Sequence, residues 1–252
     1  REYTVRPFWF WNGKLDAKEI EWQIQQMVDQ GVYGAYVHNR TGLETPYLSD
    51  EYFEVVRSAF KKSREVGFLL GFVDEYEWPS GEARDVWIKG LPSRVVAADP
   101  EFRMRSLGYL EKEVDGPARV ETEAVKDFQF AVAGKVLGDG SFDADTLADV
   151  SRSVSGGSLK WDAPPGRWRV MVFNLHLSQG RDGGLVDLLN PAAVRKFLDL
   201  SYEQYYKRFR EYFGKTIDST YADHEGDYGY RIAWTPRFFE TFQEMKGYDV
   251  RK

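Results

Sequence analysis

The chain contains no cysteine in 252 residues, which excludes a disulfide framework and thiolate chemistry and leaves the redox compartment unreadable. It has no apolar run long enough to cross a bilayer, so no membrane span is expected. It also lacks any excess of positive charge. Lys and Arg number 34 against 40 Asp and Glu, for a net charge of −6, whereas phosphate contacts need a basic surface; nucleic acid is therefore not an expected partner. Neither GxGxxG nor GxxxxGK[ST] occurs, which leaves nucleotide cofactors without a phosphate cradle. No Lys sits at a predicted strand end, as a Schiff-base enzyme would require. The chain opens at Arg1 with neither Met nor a signal-peptide pattern, so a processed or excised start is expected and the compartment stays open.

What is present is a large core-forming fraction, 42% hydrophobic and 16% aromatic, enough for one large domain or two small ones. Pro7 to Gly13 reads as a strand and turn, followed by a helix capped at Asp16 with a stripe at Ile20, Ile24, Met27 and Val28 and a stop at Gly31. Val32 to Val37 reads as a second strand. Ser49 then caps a helix with its buried stripe at Tyr52, Val55, Val56, Ala59 and Phe60. Gly67 to Val73 is a continuous apolar run, as expected of a strand covered on both faces in a parallel sheet.

From about Arg103 to Leu177 the period changes to two, which predicts an antiparallel β insertion with a turn at Asp162-Ala163-Pro164-Pro165-Gly166. A helix from Asn190-Pro191 to Gly214, a fourth strand at Thr216 to Ala222 and a last helix after Thr235-Pro236 resume the α/β pattern. The expected fold is α/β, TIM-barrel-like and incomplete at about four βα units, with an inserted antiparallel module. The expected divisions are 1–102 for the first three units, 103–177 for the insertion and 178–252 for the continued barrel.

Polar residues gather where the strands end: Trp11 and Asn12; His38, Asn39 and Arg40; Asp74, Glu75, Glu77 and Trp78; Asp223, His224 and Glu225. Ligands of parallel α/β folds bind at those carboxyl ends. Carboxylates beside aromatic rings suit a carbohydrate, since carboxylates move protons on the glycosidic bond and ring faces cover C–H faces of the sugar. Glu225 is the first candidate for proton transfer, tuned by Asp223 and His224, and Glu75 the second. Against these roles stand loop carboxylates that cap a helix or pair with Arg84 or Arg231.

Trp11, Tyr76, Trp78 and Trp234 are candidate sugar platforms, with core packing as the alternative. His38 and His224 are candidates to hold a sugar hydroxyl or a metal, but no HxxH or HExxH spacing supports zinc. Asp139 to Asp145 lacks the EF-hand spacing and reads as a solvated turn. Asn39-Arg40-Thr41 matches a glycosylation sequon, for which ligand contact in the proposed mouth is the better reading.

Pro7 to Gly13, Tyr47-Leu48-Ser49, Asp74-Glu75 with Trp78-Pro79-Ser80-Gly81, Trp234-Thr235 and Gly247-Tyr248-Asp249 together resemble glycoside hydrolase family 106, the α-L-rhamnosidase type. The resemblance implies a catalytic (β/α)₈ barrel of which this chain is about the first half. It further implies inverting hydrolysis of α-L-rhamnosides or related deoxyhexosides of complex glycans, dependence on calcium, and a periplasmic or extracellular setting. By it Glu225 is one of the catalytic pair, and the partner is Glu75 or a residue on a later strand beyond Lys252. Trp11, Asn12, His38, Asn39, Arg40, Asp74, Trp78, Asp223 and His224 are the expected substrate-binding residues. The expected partners are an oligosaccharide or polysaccharide substrate and the remainder of a larger chain. The competing reading is a non-catalytic carbohydrate-binding or scaffolding segment of a glycan-degrading protein.

Overall fold

The computed structural model describes residues 4–84, 92–179, 184–224 and 232–250. The chain divides into two compact units, 1–103 with 179–227 and 104–178 with 228–252. The first is built on four parallel strands, β1 (Phe8–Trp11), β2 (Gly34–Asn39), β3 (Leu69–Tyr76) and β9 (Thr220–Tyr221), in the order β1-β2-β3-β9. Helices α1 (Ala17–Asp29) and α2 (Asp50–Val66) connect the first three strands, as parallel neighbours require a crossover. The sequence signals act as expected at their starts: Asp16 and Ser49 side chains accept the N–H of Glu19 and Tyr52. The full predicted stripe of α2 is buried, with Phe53 and Ser63 added to it.

β3 begins two residues later than its apolar run, because Gly67 in the left-handed conformation (φ 69°) ends α2. It also runs further, through Asp74, Glu75 and Tyr76, so two carboxylates read as loop lie inside the strand. Gly71 is required at its centre. A Cβ there would stand 2.7 Å from the Tyr36 ring and from the Ser219 carbonyl.

Between β3 and β9 lie the short α3 (Arg94–Ala98), then α4 (Pro191–Leu200) and α5 (Tyr202–Phe209). The single helix expected from Asn190 is broken at Ser201, whose hydroxyl donates to the Asp74 carbonyl at 2.6 Å. The break turns Tyr202 and Tyr205 toward β3. Tyr205 stacks flat on Phe72, with centroids 4.1 Å apart at 8°, and both join Trp11, Val37, Leu70 and Phe209 in the core between the sheet and its helices. Burying each such ring stabilises the unit by roughly 1.5–3 kcal/mol.

The second unit is antiparallel. β4 (Arg105–Glu121) pairs along its length with β8 (Ser158–Leu177), which also pairs with β5 (Phe128–Lys135); β6 (Ala148–Asp149) and β7 (Val154–Ser155) are short additions. The expected turn at Asp162 to Gly166 is strand instead. It lies within β8 opposite an irregularity at Gly116 to Ala118, where the Pro164 carbonyl leaves no room for a Cβ on Gly116.

β10 (Ile232–Trp234) pairs antiparallel with β4, and α6 (Phe238–Lys246) follows it. This corrects the assignment of all of 178–252 to a continued barrel. The reason is aromatic packing: Phe239 lies 4.7 Å from Trp234 and 5.2 Å from Phe130, so the last helix belongs with the antiparallel sheet.

Candidate active site at the strand ends

In the parallel sheet, alternation decides which strand-end residues face the helices. Trp11, Asn39 and Tyr76 occupy one row of the register. Trp11 packs edge-on against Tyr52 of α2, and both Trp11 and Asn39 are buried. Their expected contact with a sugar is therefore corrected: period two places them in the layer between sheet and helices. Trp234 is likewise core, in the second unit.

The opposite face carries His38, with Phe8 and Phe10 edge-on to its ring at 5.3 and 5.6 Å. Its Nε2 lies 3.1 Å from the Glu77 carbonyl, and its Nδ1 has no hydrogen-bond partner among the described residues. Burial lowers its pKa, and Nε2, which faces a carbonyl oxygen, is the ring nitrogen that donates. Arg40 extends over the Phe10 ring at 5.4 Å, and Asn12 is exposed. Phe8, Phe10 and Tyr221 on this face are 40%, 51% and 39% exposed.

The three carboxylates at the end of β3 have separate surroundings. Glu77 accepts the N–H and hydroxyl of Thr41, joining the loops after β2 and β3. Asp74 accepts the hydroxyls of Ser80 and Tyr202, the latter at 2.7 Å to Oδ2, and burial raises its pKa. Ser80 binds onward to the segment after β9: its N–H donates to the Asp223 carbonyl at 2.8 Å, and its Oγ accepts the Asp223 N–H at 2.8 Å.

Glu75 is fully buried. Its oxygens accept four backbone N–H groups, from Tyr76, Arg84 and Glu82 at 3.0 Å and from Ala83 at 2.6 Å. Burial pushes the carboxyl up to about 8 against the pull of those amides and of the Arg84 charge. Among the described residues Glu75 thus faces the main chain of its own loop and has no exposed surface.

The strand ends therefore bring together His38, Arg40, Glu77, Trp78, Asp74 and Asp223, with Trp78 and Asn12 exposed and Asp223 and His224 half-buried. Glu225 lies outside the described residues. Sequence reasoning missed Ser80, Tyr202 and Thr41 as parts of this arrangement. Ser80 sat inside a quoted motif, but nothing in the sequence marked Tyr202, which arrives from a helix 128 positions after Asp74. Among the described residues no three His, Cys, Asp or Glu side chains gather as a metal site requires.

The family model Glyco_hydro_106, described as alpha-L-rhamnosidase, matches residues 117–252. Among solved structures, the rhamnosidase from Novosphingobium sp. PP1Y resembles the chain with a TM-score of 0.52 at 14% identity, over 98% of this chain and 41% of that one. At that identity the likeness is one of fold, and this chain spans less than half the length of that protein. No curated protein matches. With more than half of its length matched by the family model, the chain belongs to glycoside hydrolase family 106.

Proposed function

We propose that this chain is part of a catalytic domain that hydrolyses α-L-rhamnosides or related deoxyhexosides of complex glycans with inversion at the anomeric carbon. The observation that carries the reading is the parallel-strand end where Ser80 ties Asp74 to Asp223 beside the exposed ring of Trp78. Trp78 offers an apolar face to the sugar, and Asp223, with His224 and Glu225 next in the chain, offers the acid–base chemistry. Inversion needs two carboxyl groups roughly 6.5–9.5 Å apart with a water between base and sugar. Glu225 supplies one of them. Asp74 and Glu75 are both committed to hydrogen bonds within the fold, so the second comes from another residue.

A (β/α)₈ barrel is the architecture we propose around this site. Helices of the first unit pack on the Trp11, Val37 and Phe72 face of the parallel sheet, while Phe8, Phe10 and Tyr221 stay open on the other. Parallel sheets are ordinarily covered on both faces, and in a barrel the inner face is filled by side chains of further strands.

The test is turnover of aryl α-L-rhamnoside by the full-length polypeptide and its Glu225→Gln variant. Loss of about 10²-fold or more in kcat with little change in stability supports the assignment. Equal turnover by both proteins overturns the role of Glu225. Oligosaccharide binding without product release in the parent favours the non-catalytic binding module.

A further inference from the structure

We infer that Glu75 is a positioning residue: by closing the loop 77–84 it sets Ser80, and through Ser80 the backbone at Asp223, without touching substrate. The inference rests on the function proposed above and assigns a part of the same site. The two Glu75 oxygens take the N–H groups of Tyr76, Glu82, Ala83 and Arg84, two on each oxygen, three of these donors being consecutive in the chain. The loop thus leaves the strand after Tyr76 and returns onto the carboxyl group at the strand's own end.

Ser80 lies at the far side of that closure. Its hydroxyl donates to Asp74 and accepts from the Asp223 N–H, while its own N–H donates to the Asp223 carbonyl. A displaced loop therefore displaces the segment that follows β9. The other flank is secured independently, since Glu82 Oε1 accepts the Val186 N–H at 3.0 Å and the Glu82 carbonyl accepts the Arg94 N–H at 3.1 Å. These ties do not involve Glu75, so its replacement acts on the loop while the fold around α3 is kept. Glutamine has the same shape but turns an NH₂ donor toward amide donors, which breaks half of the closure.

The experiment follows backbone amide exchange by mass spectrometry in the full-length protein and its Glu75→Gln, Ser80→Ala and Ser80→Thr variants. Hydrogen bonds of this kind correspond to about tenfold or more in local opening. Glu75→Gln is expected to accelerate exchange about tenfold or more over both 76–84 and 218–224. Ser80→Ala is expected to do so over 218–224, and Ser80→Thr, which keeps the hydroxyl, to restore protection. Unchanged exchange over 218–224 in Glu75→Gln or in Ser80→Ala overturns the inference, and the serine pair decides it if the glutamine variant does not fold.

Activity supplies the second readout. With aryl α-L-rhamnoside, Glu75→Gln is expected to lower kcat while keeping both limbs of the pH–rate profile and gaining nothing from added azide. Loss of one limb, or rescue by azide, would identify Glu75 as a catalytic carboxylate and overturn the positioning role. If the parent protein turns over no rhamnoside, the proposed function fails, while the exchange measurements still decide how the loop is held.

Discussion

Ser80 and Asp223 hold each other through two hydrogen bonds, one between main chains from Ser80 N–H to the Asp223 carbonyl and one from Asp223 N–H to the Ser80 side-chain Oγ, both at 2.8 Å. Separated by 143 positions, they join the segments that follow β3 and β9, neighbours in the sheet. On the β3 side the same hydroxyl reaches Asp74, and Asp74 in turn reaches Tyr202. A buried carboxylate depends on such donors, because an unpaired charge in the interior carries its full desolvation cost.

Tyr202→Phe removes the donor to Asp74 Oδ2 and leaves that oxygen buried. The variant is expected to lose about 1.5–3 kcal/mol of unfolding free energy by urea titration. A loss below about 0.5 kcal/mol would contradict the account of Asp74 given above.

His38 gives stability a pH dependence on the acid side. Its folded pKa is lowered by burial, so the unfolded chain takes up a proton first as pH falls. Stability from this group is therefore complete above about pH 6.5, declines below it, and stops declining once pH passes the lower folded value. Histidine ring NMR titration with the His38→Gln variant identifies the resonance. A His38 that titrates above the unfolded value would reverse the sign.

Gly71→Ala places a methyl 2.7 Å from the Tyr36 ring and the Ser219 carbonyl. Overpacking of this kind is expected to cost about 1–3 kcal/mol and to lower Tm. A neutral substitution would mean that the two central strands separate more readily than their register indicates.

Much of the first unit was legible because its signals are local. The stripe of α2 and the caps at Asp16 and Ser49 depend only on nearby residues and appear in the structure as read. Residues whose roles depend on distant partners were not legible. Trp11 and Asn39 looked like rim residues because they end strands, but pleating turned them toward α2. Glu75 looked like a reactive carboxylate because a polar residue after an apolar run reads as loop, while the strand continues and the chain folds back to bind it. The break at Ser201 and the arrival of Tyr202 at Asp74 exist only once β3 and α5 are packed. Phe238 and Phe239 carry a helical stripe whichever sheet they cover, so their packing in the second unit had no local mark.

The most direct test of the central claim is proton NMR of aryl α-L-rhamnoside during turnover by the full-length polypeptide, read at the anomeric signals before mutarotation. The account predicts early release of L-rhamnose as the β anomer. Early release of the α anomer would contradict inversion, and absence of any sugar release would contradict the hydrolase itself.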